Sequence, residues 1–321
     1  MHFCASLFLF LLAELIFNKK NILSIVHTHN HNHTNYNRAF IIGITLNVIY
    51  IVVEVFYGLM INSMALLADA GHNFSDVLGL LLAWGAANLA KKATTEKRTY
   101  GFRKSTILAA LFNAILLMIA VGAITIEAIR KFISPEPVQG LTMMIVAGIG
   151  VIINSITAFL FMKGRKKDLN IKGAFLHMAA DAGVSLGVVV AGFIIYTTGW
   201  LWVDPAISLV IVLVITIGTW GLLRDSFHLS MDAVPNGIDL KEVGNYLKGL
   251  NGVVEVHDLH IWAMSTTETA LTAHLVIPGE TKDDYFLKKI CGELHSRFGI
   301  EHSTIQIEKS AQSSNCEHHN V

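Results

Sequence analysis

The chain has 321 residues, of which 53% are hydrophobic and only 15% charged. Soluble domains carry about 25% charged residues, so this composition excludes an ordinary soluble enzyme and describes a polytopic membrane protein. The formal net charge of +0 gives no reason to expect a nucleic-acid partner, and Cys4, Cys291 and Cys316 form no CxxC, which excludes a disulfide framework and a thiolate zinc site.

Residues 1–38 form an N-terminal segment. Phe3 to Phe17 is apolar apart from Glu14 and is followed, not preceded, by Lys19 and Lys20, the reverse of the signal-peptide charge order. We expect translation to begin at Val26, read as a start codon, so that residues 1–25 are absent from the mature protein. His27, His29, His31 and His33 then alternate with Thr and Asn, a tract that either gathers metal loosely or is a solvated polar tail.

Six apolar runs of spanning length follow over residues 39–223: Ala39–Met60, Ser63–Ala90, Ser105–Phe132, Gly140–Met162, Ile171–Tyr196 and Pro205–Leu223. The connection after the second carries Lys91, Lys92, Lys97, Arg98, Arg103 and Lys104. The one after the fourth carries Lys163, Arg165, Lys166, Lys167 and Lys172. By the positive-inside rule these even connections are cytoplasmic, which puts the His-rich tract and the C-terminal part in the cytoplasm as well.

The second and fifth runs hold what a lipid-facing helix cannot. His72 and Asp76 lie four apart in one, His177 and Asp181 four apart in the other. Ionisable groups at bilayer depth are costly, face the protein interior and mark ion or proton paths. Residues four apart share a helix face, so each HxxxD presents one imidazole beside one carboxylate. Two such helices face to face supply two nitrogens and two oxygens, the tetrahedral set suited to Zn²⁺. Asp69, three residues before His72, is open to three readings: a further ligand, a proton carrier, or a polar residue near the outer mouth. Glu54 in the first run is a candidate to line the pathway. Asn47 and Asn113 are read as interhelical hydrogen-bonding residues. Gly148, Gly150, Asn154 and Ser155 are read as close-packing positions of the fourth run.

Residues 224–235 read as a hinge, with the boundary helix ending near Arg224. A small domain follows at 236–310, and 311–321, with Cys316, His318 and His319, is a flexible tail. Ile238–Leu250 has helical spacing, Val253–Met264 and Thr269–Ile277 are strand-like, Asp283–Phe298 is helical and Ser303–Glu308 alternates as a strand. The order αββαβ suggests an α+β sandwich, ferredoxin-like in outline. His257, His260, His274, His295, His302 and Glu308 are candidate ligands here, against the reading that they are ordinary surface residues. Adjacent strands would let His257, His274 and Glu308 share a metal.

Asn62-Ser63-Met64-Ala65-Leu66-Leu67-Ala68-Asp69-Ala70-Gly71-His72-Asn73-Phe74-Ser75-Asp76 resembles the second-span signature of the cation diffusion facilitators, a zinc-efflux family. Tyr100-Gly101-Phe102-Arg103-Lys104 and His177-Met178-Ala179-Ala180-Asp181 are similar to its third-span approach and fifth-span motif. His257-Asp258-Leu259-His260-Ile261-Trp262 and Ser303-Thr304-Ile305-Gln306-Ile307-Glu308 resemble its cytoplasmic domain. The resemblance implies a homodimer of six-span protomers in the bacterial cytoplasmic membrane. It would export zinc from the cytoplasm in exchange for protons, with His72, Asp76, His177 and Asp181 as transport site and Zn²⁺ also held as a regulator by His257, His274 and Glu308. It implies, too, that Lys104 and Asp232 pair at the dimer interface. Some members bind metal through Asp and His in the loop after the second span, and Thr94–Tyr100 has neither. The rival readings are a carrier preferring Cd²⁺, Co²⁺, Mn²⁺ or Fe²⁺, and a membrane-bound metal sensor without transport. An intramembrane metalloprotease lacks its HExxH here, so no enzyme is expected.

Overall fold

The computed structural model describes residues 36–162, 169–279 and 284–310. The His-rich tract, the basic stretch 163–168 and the tail from 311 lie outside the described residues. Six long helices come first: α1 (Tyr36–Met60), α2 (Met64–Ala90), α3 (Ser105–Ile133), α4 (Gly140–Met162), α5 (Leu169–Thr198) and α6 (Val203–Ser230). Then follow α7 (Leu240–Lys248), β1 (Glu255–Ala263), β2 (Thr269–Val276), α8 (Asp284–Phe298) and β3 (His302–Glu308). Five of the six long helices, α1 and α3 to α6, are long and apolar enough to cross a membrane. The exception, α2, has the length at 27 residues but carries Asp69, His72, Asn73, Ser75 and Asp76 in its first half. Those polar residues account for its departure from the apolar norm.

α6 runs to Ser230, past the last apolar residue of the sixth run at Leu223. Arg224 to Ser230 contains no Gly or Pro, so the backbone ladder continues after hydropathy falls, and the chain breaks only at Met231–Pro235. Asp232 there has φ 57, the left-handed region that Asp tolerates better than most residues.

Two compact units divide the chain. The first comprises residues up to Val77 and Val121–Leu213, hence α1, α4, α5 and parts of α2, α3 and α6. Close approach between α4 and α5 requires glycine at Gly140 and Gly192: a Cβ on Gly140 would meet the Gly192 carbonyl oxygen at 2.6 Å. On α4, Gly150 makes room for the Tyr50 hydroxyl, which a Cβ would meet at 2.2 Å. Close packing therefore describes Gly150 and the fully buried Asn154, but Gly148 has nothing within 4 Å and Ser155 is exposed. The period of α4 turns those two positions to its outer side.

The second unit comprises Leu78–Ala120 and the residues from Val214. Its sheet has the order β1-β2-β3, with β1 antiparallel to β2 and β2 parallel to β3. The parallel pair needs a crossover, which α8 supplies. The amphipathic α7 and α8 lay Val243, Leu247, Ile290 and Leu294 on Ile261, Leu271, Ala273 and Leu275, the core of the small domain. Burying each such leucine or isoleucine contributes about 1.5–3 kcal/mol. Asp239 caps α7 by accepting from the Lys241 N–H at 2.8 Å. The observed order is αββαβ over three strands.

Candidate metal centres

The first centre lies within the first unit. α2 and α5 each turn an i, i+4 pair to the same place. His72 Nε2 lies 3.8 Å from Asp76 and 3.5 Å from Asp181, while His177 Nε2 lies 3.2 Å from Asp76 and 3.7 Å from Asp181. The two imidazoles stand edge to face with ring centres 6.1 Å apart. One donor atom each from His72, Asp76 and Asp181 falls within 4.8 Å of the others, and His177 joins them through both carboxylates. With Zn–N and Zn–O bonds near 2.0–2.1 Å, a tetrahedral site needs donors about 3.3 Å apart, and the four imidazole–carboxylate distances lie at or somewhat above that spacing. Among the described residues, the buried Asp76 Oδ2 and Asp181 Oδ2 atoms meet only the imidazoles. Two carboxylates converging on two imidazoles suit a cation.

Exposure divides the four. Asp181 is 2% exposed, whereas His177 is 43% exposed, so one end of the site opens and the other is closed.

Around this centre the first unit holds a polar frame that the sequence reading only touched. Asp204 is fully buried and caps the start of α2. It accepts from the Met64 and Ala65 N–H groups at 2.7 and 3.2 Å and from the Ser63 hydroxyl. The Ser63 oxygen in turn accepts from Leu66 N–H. Lys131, nearly buried, donates to the Asn62 carbonyl at 2.9 Å and also to the Asn62 side chain. Asp204 sits just ahead of the sixth apolar run. The signal available for it was Ser63, a residue type favoured at helix N-caps, just before the second run. Glu54 accepts from the Tyr50 hydroxyl at 2.8 Å and from Asn73 at 3.5 Å. Asn47 donates to the Met178 sulfur at 3.7 Å, a weak interhelical bond. In the second unit, Asn113 packs against Gly79, its oxygen without a donor.

The second centre belongs to the sheet of the second unit. His257 and His274 are register partners on β1 and β2, and Glu308 is the partner of Val276 on β3. His274 Nδ1 lies 2.9 Å from Glu308 Oε1 and His257 Nε2 lies 3.3 Å from Glu308 Oε2. Glu308 is 5% exposed at its side chain, and among the described residues its Oε2 meets only the His257 ring, so a cation fits this two-nitrogen, one-oxygen set. Asp258 joins them, which strict strand alternation does not foresee. A register shift between His257 and His260, with Asp258 at φ 50, breaks the period-2 pattern. Asp258 Oδ2 then reaches His274 Nε2 at 3.4 Å and Oδ1 reaches His260 Nε2 at 2.9 Å. The His260 hydrogen bond holds the exposed Asp258 carboxyl below the usual carboxylate range. His302 packs edge-on to Tyr100 with ring centres 5.8 Å apart, and His295 lies in the last turn of α8.

Also within the second unit, Lys104 Nζ donates to Asp232 Oδ1 at 2.6 Å, with both groups about half exposed. Beside it Arg103 pairs with Glu268 at 2.9 Å and the Thr266 N–H donates to the Thr106 hydroxyl at 3.1 Å. The loop ahead of α3 is thereby tied both to the segment after α6 and to the β1–β2 turn.

Comparison with known proteins gives two matches to family models. Residues 40–229 match the one described as the cation efflux transmembrane domain, and residues 235–310 match the cation efflux protein cytoplasmic domain. A cadmium, cobalt and zinc/H(+)-K(+) antiporter of Bacillus subtilis is 35% identical over 82% of this chain and 86% of its own length. The metal cation efflux system protein CzcD of Cupriavidus metallidurans is 37% identical over 88% of this chain and 89% of its own. The zinc transporter ZitB of Escherichia coli is 35% identical over 81% and 83%.

Because Asp258 contacts the ring of a candidate ligand, replacing it should loosen that ligand. Asp258→Asn is expected to weaken zinc binding at the His257–His274–Glu308 centre by about tenfold, within the 10–100-fold range for such partners. Competition with a chelating dye on the purified protein measures this, and unchanged affinity would exclude a supporting role for Asp258.

Proposed function

The chain belongs to the cation efflux (cation diffusion facilitator) family of integral membrane proteins with a cytoplasmic C-terminal domain, and from that premise we propose that it exports Zn²⁺ from the cytoplasm in exchange for protons. The observation that carries this reading is the convergence of His72, Asp76, His177 and Asp181, two imidazoles and two carboxylates with N···O distances of 3.2–3.8 Å between α2 and α5. Nitrogen donors favour zinc over the harder Mn²⁺. The relatives named for cadmium, cobalt and zinc keep Cd²⁺ and Co²⁺ as the alternative substrates.

In this reading α2 is the sixth spanning helix, its polar face turned to the site. Imidazole must be neutral and carboxylate ionised to bind metal, so protons and zinc compete for the same atoms. The competition is decided between the pH of the cytoplasm and that of a more acidic exterior. The sign follows: zinc loads where pH is higher, and is displaced where pH is lower. The division into a membrane part, a hinge and a ferredoxin-like domain at 236–310 is part of the same proposal, the hinge falling at 231–235 because α6 continues to Ser230. So are a homodimer in the bacterial cytoplasmic membrane and a regulatory Zn²⁺ on His257, His274 and Glu308. A metal bound there supplies positive charge that offsets Glu308 and would act as the signal that draws two protomers together.

The transport site is expected to act as a unit. Asp181→Ala leaves one carboxylate and should abolish zinc uptake into everted vesicles, a loss of at least about a hundredfold, while the protein stays folded. Near wild-type flux in this variant would misplace the site.

Lys104 and Asp232 join the α3 entry to the segment after α6. An exposed pair contributes only about 0–1 kcal/mol to stability, so its effect should appear in transport. Lys104→Asp should lower flux several-fold, and adding Asp232→Lys should restore part of it. Recovery stays partial because Lys tolerates the left-handed backbone at this position less well than Asp. A double variant no more active than the worse single would exclude the pairing.

A further inference from the structure

Glu54 and Asp69 take no part in the four-residue metal set, yet both are fully buried. They face one another: the Asp69 carboxyl is within hydrogen-bonding reach of Glu54. Both Glu54 oxygens already have donors, Tyr50 on α1 and Asn73 on α2. Asp69 Oδ2 accepts from Ser185 of α5 at 2.9 Å, but Asp69 Oδ1 is buried and has no donor. Among the described residues no Lys or Arg pairs with either carboxyl, and the nearest titratable groups beyond Tyr50 are His72 and Asp181. Two ionised carboxylates cannot sit in contact in a dry interior without a cation. One proton shared between them satisfies the orphaned oxygen and removes one charge. The site is built around that proton: Gly150 of α4 leaves the space that seats the Tyr50 hydroxyl, and Ser185 lies four residues beyond Asp181 on the same face of α5.

We propose that Glu54 and Asp69 form a proton-binding site separate from the metal ligands, which holds one proton in the metal-free protein and releases it when a divalent cation occupies His72, Asp76, His177 and Asp181. Asp69 precedes His72 by three residues, so the pair lies within about one helical turn of the metal. The charge balance is simple. Arrival of a 2+ ion nearby favours the doubly ionised pair. One carboxyl O–H bond breaks, the proton passes to water as hydronium, and the pair goes from one negative charge to two. Departure of the metal reverses each step. The pair thus adds one proton to those displaced from the imidazoles, and it couples metal to protons without binding metal. This rests on the metal-site reading given above.

The test is the number of protons released per zinc bound, measured with a pH indicator in weakly buffered solution on the purified full-length protein. Wild type, Glu54→Gln and Asp69→Asn are compared, with Asp181→Ala as control. Both amide variants should bind zinc as wild type does and release about one proton fewer per zinc. An unchanged proton count in both variants overturns the proposal. The cytoplasmic centre contributes equally to all three and cancels. If Asp181→Ala takes up as much zinc as wild type, the metal-site reading itself has failed, and the proposal with it. Infrared difference spectra decide the case even where a variant does not fold. Metal-free wild type should show a protonated-carboxyl C=O band that zinc removes, and its absence would contradict the shared proton.

Discussion

The structure depends on placing two carboxylates and two imidazoles together between α2 and α5, with Asp181 buried and His177 at the open end. Taken singly, each group is unfavourable at bilayer depth. Taken together they are tolerable only if their donors converge, because the carboxylates then meet imidazole N–H groups or a cation in place of water. Most other polar features of the first unit follow from this. Asp181 is nearly closed off while His177 stays open, so the same four atoms present an inner wall and an entrance. The glycines of α4 and α5 let the helices approach closely enough to hold the geometry.

Convergence also needs α2 to be held at its end, since a rotation by one residue would swing His72 and Asp76 by about 100°. Asp204 on two backbone N–H groups and Lys131 on the preceding carbonyl supply that restraint. A carboxylate at a helix N-terminus and a cation on the residue before it are both favourable in sign. Their burial makes them more effective than the same contacts on a surface. The positive φ of Asn62 turns the chain sharply enough to bring its carbonyl to Lys131.

How much of this was legible in the sequence depended on whether the signal was local. The HxxxD pairs were, because four-residue spacing on a helix fixes a shared face whatever surrounds it. The αββαβ order and most helix bounds were legible for the same reason, as period and turn residues are local, but the end of α6 was not, because hydropathy falls at Leu223 while the helix continues to Ser230. The facing of α2 and α5 is tertiary, and it entered as an inference from charge at bilayer depth. Asp258 was not legible, because a bulge between His257 and His260 cancels the alternation on which strand reasoning rests. Asp204 was hidden at the edge of an apolar run, and the Glu54–Asp69 contact joins residues of two helices that no spacing rule connects. Gly148 and Ser155 show the opposite failure: small residues suggest packing, but only the helix phase says which of them pack.

The central claim is that the α2–α5 tetrad is a divalent-metal site of mixed nitrogen and oxygen ligation. X-ray absorption at the zinc edge measures this directly. It would be applied to the full-length protein carrying His257→Ala, His274→Ala and Glu308→Ala, so that zinc reports on the membrane site alone. The account predicts four light-atom ligands at about 2.0–2.1 Å, with the outer-shell scattering of two imidazoles. A spectrum without imidazole scattering, or zinc that fails to bind at all in this background, would contradict it.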